Sequence, residues 1–166
     1  YVPFRDIAGG ILDFVGTPLG DFTAGRSAAP LTAAGHELGV SICYEVTFGA
    51  EVAAALPAAD LLLNVSNDAW FGHSSAPWQH LQMARMRALE TGREMIRATN
   101  TGVSAIIGAD GGLRRMGPLF EAAVLTATVQ PYQGTTPYGR AGDWPLVGLV
   151  LAGMGGLLLR RRRRRR

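Results

Sequence analysis

One cysteine occupies a position in this chain where α/β enzymes commonly place a nucleophile. Cys43 ends an apolar run that begins at Leu38, and the polar pair Tyr44 and Glu45 follows it. A thiolate at the carboxyl end of a strand can attack an ester or amide carbonyl. Most free cysteines are small core residues, so its position alone leaves a buried structural thiol as the alternative.

The neighbouring carboxylate bears on the reactivity of that thiol. Glu45 lies two residues after Cys43, so in an extended chain both side chains point to the same side. A lone carboxylate there disfavours the thiolate, which is the reactive form. We therefore expect a cation or a base elsewhere in the site. The chain contains no lysine, and all 16 basic residues are arginine.

A second group of polar and aromatic residues follows the apolar run from Ala59 to Val65. The polar members are Asn64, Ser66, Asn67 and Asp68. They lie at the carboxyl end of a predicted strand, where open α/β sheets usually bind ligands. Trp70 and Phe71 offer apolar area beside them for an acyl chain or a lipid. A loop anchored by its aromatic residues is the alternative.

The spacing of apolar residues predicts an α/β arrangement around these groups. Residues 1–35 are rich in small residues and proline, and we expect loop with one short strand or turn. The predicted helices are Val46 to Leu56 and Pro77 to Glu90. The predicted strands are Glu37 to Cys43, Ala59 to Val65, Met95 to Thr99, Val103 to Ile107, Leu113 to Met116 and Val124 to Val129.

The segment from Pro77 to Glu90 carries the clearest helical pattern. Its apolar stripe consists of Leu81, Ala84 and Ala88. Ser74 or Ser75 can cap its start, and Gly92 is a suitable stop.

The arginines around this helix are expected to stabilise the fold rather than to bind lipid phosphate. Arg87 precedes Glu90 by three residues, a spacing that favours an ion pair on a helix. Arg85 and Arg93 are predicted to pair with acidic groups in the same way.

The carboxyl end of the chain has the composition of a membrane span. Residues 144–159 carry no charge, and Arg160 to Arg166 follow directly. As a helix, 16 residues extend about 24 Å, somewhat less than the hydrocarbon core of about 30 Å. A buried core helix also fits this length, but seven arginines at its end favour a span with a cytoplasmic tail.

Charge and histidine spacing narrow the range of partners. The net charge of +3 comes from the tail, because the rest of the chain carries nine arginines against 13 acidic residues. This distribution does not predict a nucleic-acid surface. His36, His73 and His80 show no metal-ligand spacing, and Pro77 separates the last two. We predict no metal and no cofactor.

Five short motifs occur in an informative order. They are residues 42–45 (ICYE), 64–72 (NVSNDAWFG), 77–80 (PWQH), 83–90 (MARMRALE) and 99–104 (TNTGVS). Together they resemble the nitrilase-like domain of the apolipoprotein N-acyltransferase family, and the resemblance extends from Tyr1 to about Leu159.

This resemblance implies an α/β fold, namely the later half of a nitrilase-like four-layer α-β-β-α sandwich followed by one C-terminal transmembrane helix. We expect residues 1–137 to belong to the catalytic domain, with a linker over 138–143, the transmembrane helix over 144–159 and a basic cytoplasmic tail over 160–166. Since the chain starts with Tyr1 rather than methionine, we expect it to be the carboxyl-terminal part of a longer protein.

The resemblance also implies the roles of the site residues. The family uses a Glu-Lys-Cys triad in which Cys43 matches the nucleophile, and the glutamate and lysine lie amino-terminal to it. The backbone N–H of Tyr44 would help to hold the oxyanion, and Glu45 would help to arrange the site. Asn67, Trp70 and Phe71 are the expected substrate-binding residues.

The implied reaction transfers an acyl chain from a phospholipid to the amino-terminal α-amine of a diacylglyceryl-cysteine lipoprotein, through a thioester on Cys43. The implied location is the bacterial inner membrane, with the catalytic domain on the periplasmic face. Two alternatives remain, a nitrilase-like amidase that hydrolyses C–N bonds and a non-catalytic membrane-anchored remnant. In each case we expect the 166 residues alone to be inactive, because the triad is incomplete within them.

Overall fold

The computed structural model describes residues 29–164. The expectation for residues 1–35 therefore lies mostly outside the described residues. The strands are β1 (Leu31–Ala33), β2 (His36–Ile42), β3 (Leu61–Asn67), β4 (Met95–Asn100), β5 (Ala105–Ile107) and β6 (Leu113–Met116). The α-helices are α1 (Gly49–Ala53), α2 (Ala76–Thr91), α3 (Pro137–Ala141) and α4 (Trp144–Arg164). Two 3-10 turns cover Cys43–Thr47, called the Cys43 turn below, and Ala69–Phe71.

The strands form one mixed sheet whose spatial order follows the chain. Within the described residues the order is β1-β2-β3-β4-β5-β6. The central strands β2, β3 and β4 run parallel, and the outer strands pair antiparallel. Each parallel connection contains a helix, as parallel strands require. The carboxyl ends of three neighbouring strands therefore meet at one edge, and the predicted α/β arrangement is confirmed.

One face of the sheet carries the hydrophobic core. Helix α2 packs on it, and the Cys43 turn and α1 contact α2. The buried cluster consists of Val46, Val52, Leu62, Leu81, Ala84, Ala88, Met95, Val103, Ala105 and Ile107. Because the predicted stripe of α2 lies wholly within this cluster, the sequence pattern identified the buried face of the helix correctly.

The ends of α2 also follow from local chemistry. The hydroxyl of Ser74 accepts a hydrogen bond from the N–H of Ala76 at 3.2 Å, which satisfies one free donor at the amino terminus. Gly92 ends the helix with φ of +63°, a conformation that costs glycine little. The observed helix extends the predicted one by one residue at each end.

The opposite face of the parallel strands is partly open. Val40, Ile42 and Val65 are 37%, 59% and 39% exposed. The register places Ile42 opposite Val65, and Val65 opposite Ala98, so these apolar side chains form one continuous patch. A second layer that covers this patch would produce the sandwich expected from the resemblance.

Two predictions of secondary structure were wrong. The predicted helix from Val46 to Leu56 is replaced by the end of the Cys43 turn and the short helix α1. The predicted strand from Val124 to Val129 is irregular, and Val124 is 93% exposed. No described strand lies alongside this segment to complete a ladder. Its end is instead fixed by the N–H of Gln130, which donates to the carboxylate of Glu94.

The carboxyl-terminal helix has the length and composition of a membrane span. Residues Trp144–Arg161 have a mean hydropathy of 1.2, and none of this stretch is buried against other described residues. Trp144 is 79% exposed at one end, and the arginines begin at the other.

The core is expected to be sensitive to the loss of Met95. Met95 is fully buried and Met86 is 41% exposed, so the same substitution can be compared in two environments. Met95→Ala should lower the free energy of unfolding by about 2–5 kcal/mol because it leaves a cavity. Met86→Ala should change it by less than about 0.5 kcal/mol. Urea unfolding in detergent measures both, and equal effects would contradict this assignment of the core.

Candidate active site

Cys43 lies at the point where β2 ends and the Cys43 turn begins. Its φ is +52°, which is uncommon for a residue with a Cβ and costs about 1–2 kcal/mol. The thiol is half-buried, and its Sγ lies 3.9 Å from the carbonyl oxygen of Asn67 at the end of β3. Strained conformations of this kind cluster at functional sites. The structure thus presents the thiol at the carboxyl edge of the parallel strands.

Glu45 stabilises the turn rather than lying alongside the thiol in an extended chain. Residues after Ile42 turn into the 3-10 conformation, so the geometry expected for Glu45 was wrong. Its carboxylate Oε2 accepts the N–H of Ile42 at 2.7 Å. Tyr44 is 61% exposed and contacts Phe48 edge-on, with ring centroids 5.8 Å apart. Val46 anchors the turn because its side chain is fully buried.

Buried polar and charged side chains adjoin the Cys43 turn and form what we call the buried charge network. Its members are Ser41, Asn64, Asp68, His80 and Arg97, and none is more than 6% exposed. Arg97 Nη2 donates to Asp68 Oδ2 at 3.0 Å, and Arg97 Nη1 donates to the side-chain oxygen of Asn64. The amide of Asn64 donates to both the carbonyl and the hydroxyl of Ser41. The network therefore links three parallel strands and α2.

His80 connects this network to Cys43. Its Nδ1 lies 2.9 Å from Asp68 Oδ1 and 3.1 Å from Arg97 Nη2. Its Nε2 lies 3.2 Å from the carbonyl oxygen of Cys43. A carbonyl only accepts, so Nε2 is the donor in this contact. Phe71 packs edge-on against the imidazole, with centroids 6.0 Å apart, and restricts its rotation.

The charges of the network offset the cost of burying them. Burial raises the pKa of Asp68, but hydrogen bonds from His80 and Ser66 and the charge of Arg97 outweigh it, so the pKa lies below its ordinary value. Burial lowers the pKa of Arg97, and the charge of Asp68 and the hydrogen bond to that carboxylate oppose this effect. Asp68 and Arg97 therefore form a charged pair in the interior.

The three predicted substrate-binding residues lie in different environments. The backbone of Asn67 lies beside Cys43, and its side-chain oxygen accepts the N–H of Ala69 at 3.1 Å. Trp70 is 90% exposed and free to contact a ligand. Phe71 is half-buried against His80, so part of its surface is already used within the protein.

The prediction that the arginines around α2 pair with acidic groups was confirmed only in part. Arg87 pairs with Glu90 at 2.9 Å, as the spacing predicts. Arg85 instead donates to the carbonyl of Gly111, so the prediction of an acidic partner was wrong there. Arg93 is buried and donates to the carbonyls of Ala59 and Gly134, each at 2.7 Å. The partners of Arg85 and Arg93 are thus backbone carbonyls in loops, which a sequence pattern does not reveal.

Asp68 and His80 lie within the sequence motifs, but the motifs did not reveal that these residues meet Arg97 in a buried network. Asp68 was expected only as one of several polar groups at the end of a strand, and His80 only as part of a motif and as a histidine without metal-ligand spacing. Arg97 interrupts an otherwise predictable strand, and a charge inside a buried strand is the signal that could have indicated a buried partner. Within residues 29–164, no three His, Cys, Asp or Glu side chains are grouped to hold a metal ion.

The acid stability of the protein should depend on Asp68. Its folded-state pKa is depressed, so its contribution is complete above the unfolded-state pKa of about 3.9 and is lost as the pH falls through the lower folded-state value. Asp68→Asn should lower the free energy of unfolding by about 3–5 kcal/mol at pH 7, because it leaves Arg97 buried without its counterion.

The same substitution should also weaken the dependence of stability on pH between 5 and 2. Urea unfolding across this range measures both effects. Glu51→Gln, which removes an exposed carboxylate from α1, is the matched control. A wild-type pH profile retained in the Asp68→Asn variant would contradict the role assigned to this carboxyl.

A family match and two curated relatives show which proteins this chain is similar to. The chain matches the carbon-nitrogen hydrolase family over residues 11–138. It is 53% identical over 150 residues to an apolipoprotein N-acyltransferase of Methylococcus capsulatus, which covers 90% of this chain and 30% of that protein. It is 50% identical over 167 residues to the Azotobacter vinelandii protein of the same name, covering 99% and 32%. The chain thus spans about a third of the length of these curated relatives.

A solved structure supports the fold. The carbon-nitrogen hydrolase of Helicobacter pylori G27 superposes with a TM-score of 0.51 at 17% identity, covering 58% of this chain and 41% of that one. At this identity the likeness concerns the fold alone. The family match extends over most of the chain and includes Cys43 and the buried charge network. This chain belongs to the carbon-nitrogen hydrolase family.

Proposed function

We propose that this chain is the nucleophile-bearing part of an acyltransferase that moves an acyl chain from a phospholipid to the α-amine of a diacylglyceryl-cysteine lipoprotein. The observation that carries the proposal is the geometry of Cys43, a half-buried thiol at positive φ on the carboxyl edge of parallel strands. Relatives about half identical to this chain are named apolipoprotein N-acyltransferase, which supports this acceptor over water.

The reaction proceeds in two displacements at Cys43. The thiolate attacks the ester carbonyl at the glycerol sn-1 position and forms a tetrahedral oxyanion. When that oxyanion collapses, the C–O bond breaks, the departing lysophospholipid takes up a proton, and a thioester remains on Cys43. The lipoprotein amine then attacks the thioester, the C–S bond breaks, and the amine loses a proton to a base as the thiolate is regenerated.

The site residues have distinct roles in this proposal. Tyr44 supplies a backbone N–H to the oxyanion, and Glu45 maintains the turn that presents it. Asn67, Trp70 and Phe71 line the approach to the thiol and contact the lipid. The chain has no lysine, so the proposal assigns the triad glutamate and lysine to residues outside these 166.

The proposal places the protein in the bacterial inner membrane. Helix α4 spans the bilayer, with Trp144 at one interface and the arginine tail in the cytoplasm. The catalytic domain then lies on the periplasmic face, where both lipid substrates are accessible from the outer leaflet. Phospholipid, diacylated lipoprotein and membrane are the partners, and nucleic acid is not among them.

The central test follows an acyl-enzyme on Cys43. The full-length protein should form a hydroxylamine-sensitive adduct with acyl-labelled phospholipid and pass the label to a diacylated lipopeptide amine. Cys43→Ala should abolish both steps, because no thioester can form. Met86→Ala, an exposed change on α2, should leave both unchanged. Release of the label as free fatty acid in the presence of lipopeptide would favour the hydrolase alternative, and no adduct would favour the remnant.

The exposed indole of Trp70 provides a test of lipid contact. Trp70→Ala should raise KM for phospholipid about 10- to 100-fold, because burying a large aromatic side chain is worth about 1.5–3 kcal/mol. Trp78→Ala removes a 47% exposed indole from α2 and is the matched control. Steady-state kinetics in mixed micelles measure both variants. Equal effects of the two changes would count against a lipid-binding role for Trp70.

A further inference from the structure

We propose that His80 is a positioning residue that orients the peptide between Cys43 and Tyr44 for oxyanion binding. The inference rests on the proposed thioester chemistry, since an oxyanion arises only when the thiol attacks a carbonyl. Three observations support it: the contact from His80 to the Cys43 carbonyl, the geometry of the peptide unit, and the way the ring is held.

The first observation is a hydrogen bond to the backbone of the nucleophile. Nε2 of His80 donates to the carbonyl oxygen of Cys43 at 3.2 Å, and His80 is only 3% exposed. The contact directs the carbonyl of Cys43 towards the buried side of the site. It joins two residues 37 positions apart in the chain, so tertiary packing rather than local sequence creates it.

The second observation concerns the other end of the same peptide unit. In a trans peptide the C=O and the following N–H point in opposite directions. With the carbonyl of Cys43 turned inwards, the N–H of Tyr44 is directed outwards, away from His80. Tyr44 lies in the first turn of a 3-10 helix, where N–H groups have no acceptor within the helix. The donor is therefore available to an oxyanion formed at the thiol.

The third observation is that the imidazole cannot easily rotate away. Asp68 and Arg97 both contact Nδ1, and Phe71 packs against the ring. An imidazolium donates from Nδ1 to Asp68 and from Nε2 to Cys43, whereas a neutral ring protonated at Nε2 accepts from Arg97 at Nδ1 and gives Asp68 no hydrogen bond. In both states Nε2 carries a proton. The hydrogen bond from Nε2 to the carbonyl of Cys43 is therefore the same in both protonation states.

A comparison of two reactions of the same thiol tests this role. Acylation by a p-nitrophenyl ester passes through a tetrahedral oxyanion, whereas alkylation by iodoacetamide displaces iodide at a saturated carbon and forms none. Both are followed at Cys43 of the full-length protein by mass spectrometry of its peptide. Loss of one oxyanion donor typically slows a reaction about 10²–10³-fold.

His80→Phe keeps a ring beside Phe71 but removes the donor, and His80→Gln keeps a donor near the position of Nε2. We expect His80→Phe to slow acylation about 10²–10³-fold, through kcat rather than KM, while alkylation proceeds at the wild-type rate. His80→Gln should restore most of the acylation rate. His36→Phe, at the opposite end of β2 and 44% exposed at its side chain, should change neither reaction.

Other results of these experiments would overturn the positioning role, the proposed function or both. Equal slowing of acylation and alkylation in His80→Phe would overturn the proposal in favour of a purely structural role. A wild-type acylation rate in that variant would also overturn it, because His80 would then have no effect on the reaction. Wild-type protein that acylates from the ester but passes nothing to a lipopeptide would refute the acyltransferase proposal and leave the positioning role intact. A wild-type protein that forms no acyl-enzyme from the ester would overturn both.

Discussion

The buried pair of Asp68 and Arg97 is the interaction on which the geometry of the site depends. Placing two charges in the interior is costly, and it is tolerated only when their hydrogen-bonding capacity is satisfied. Arg97 meets this requirement through Asp68, Asn64 and the carbonyl of Val103. Gly102 lies so close to Asp68 that a Cβ there would collide with the carboxylate. The surrounding backbone is therefore shaped around the pair, which fixes the strand ends that carry Cys43.

Local patterns predicted the scaffold well and the site only in part. The apolar stripe of α2 and the apolar runs of β2 and β3 depend on neighbours in sequence, so their positions were predicted within about two residues. The Cys43 turn was not predicted, because its bend depends on the buried anchor Val46 and on contacts from α2. The buried charge network was missed for the same reason. Its members are spread from Ser41 to Arg97, and only the pairing of three strands brings them together.

Membership of a hydrolase family and similarity to acyltransferases are compatible in physical terms. Both chemistries begin with attack of a cysteine on a carbonyl and share the thioester. They differ in the group that attacks next, water or an amine. The described residues provide the shared part, namely Cys43, its turn and the network that supports it. A reaction between small soluble molecules does not require an exposed indole such as Trp70 or an apolar helix such as α4, and both features are compatible with the lipid substrates that we propose.

The positive φ of Cys43 makes glycine, rather than cysteine, the residue that position 43 accommodates with the least strain. Glycine adopts φ near +52° without the steric cost that a Cβ brings. Stability alone would therefore favour glycine at position 43, and the proposed reaction gives a reason for a thiol to be kept there in spite of the strain. Under the proposed function, a homologous chain with glycine at this position would fold at least as well but could not form the thioester.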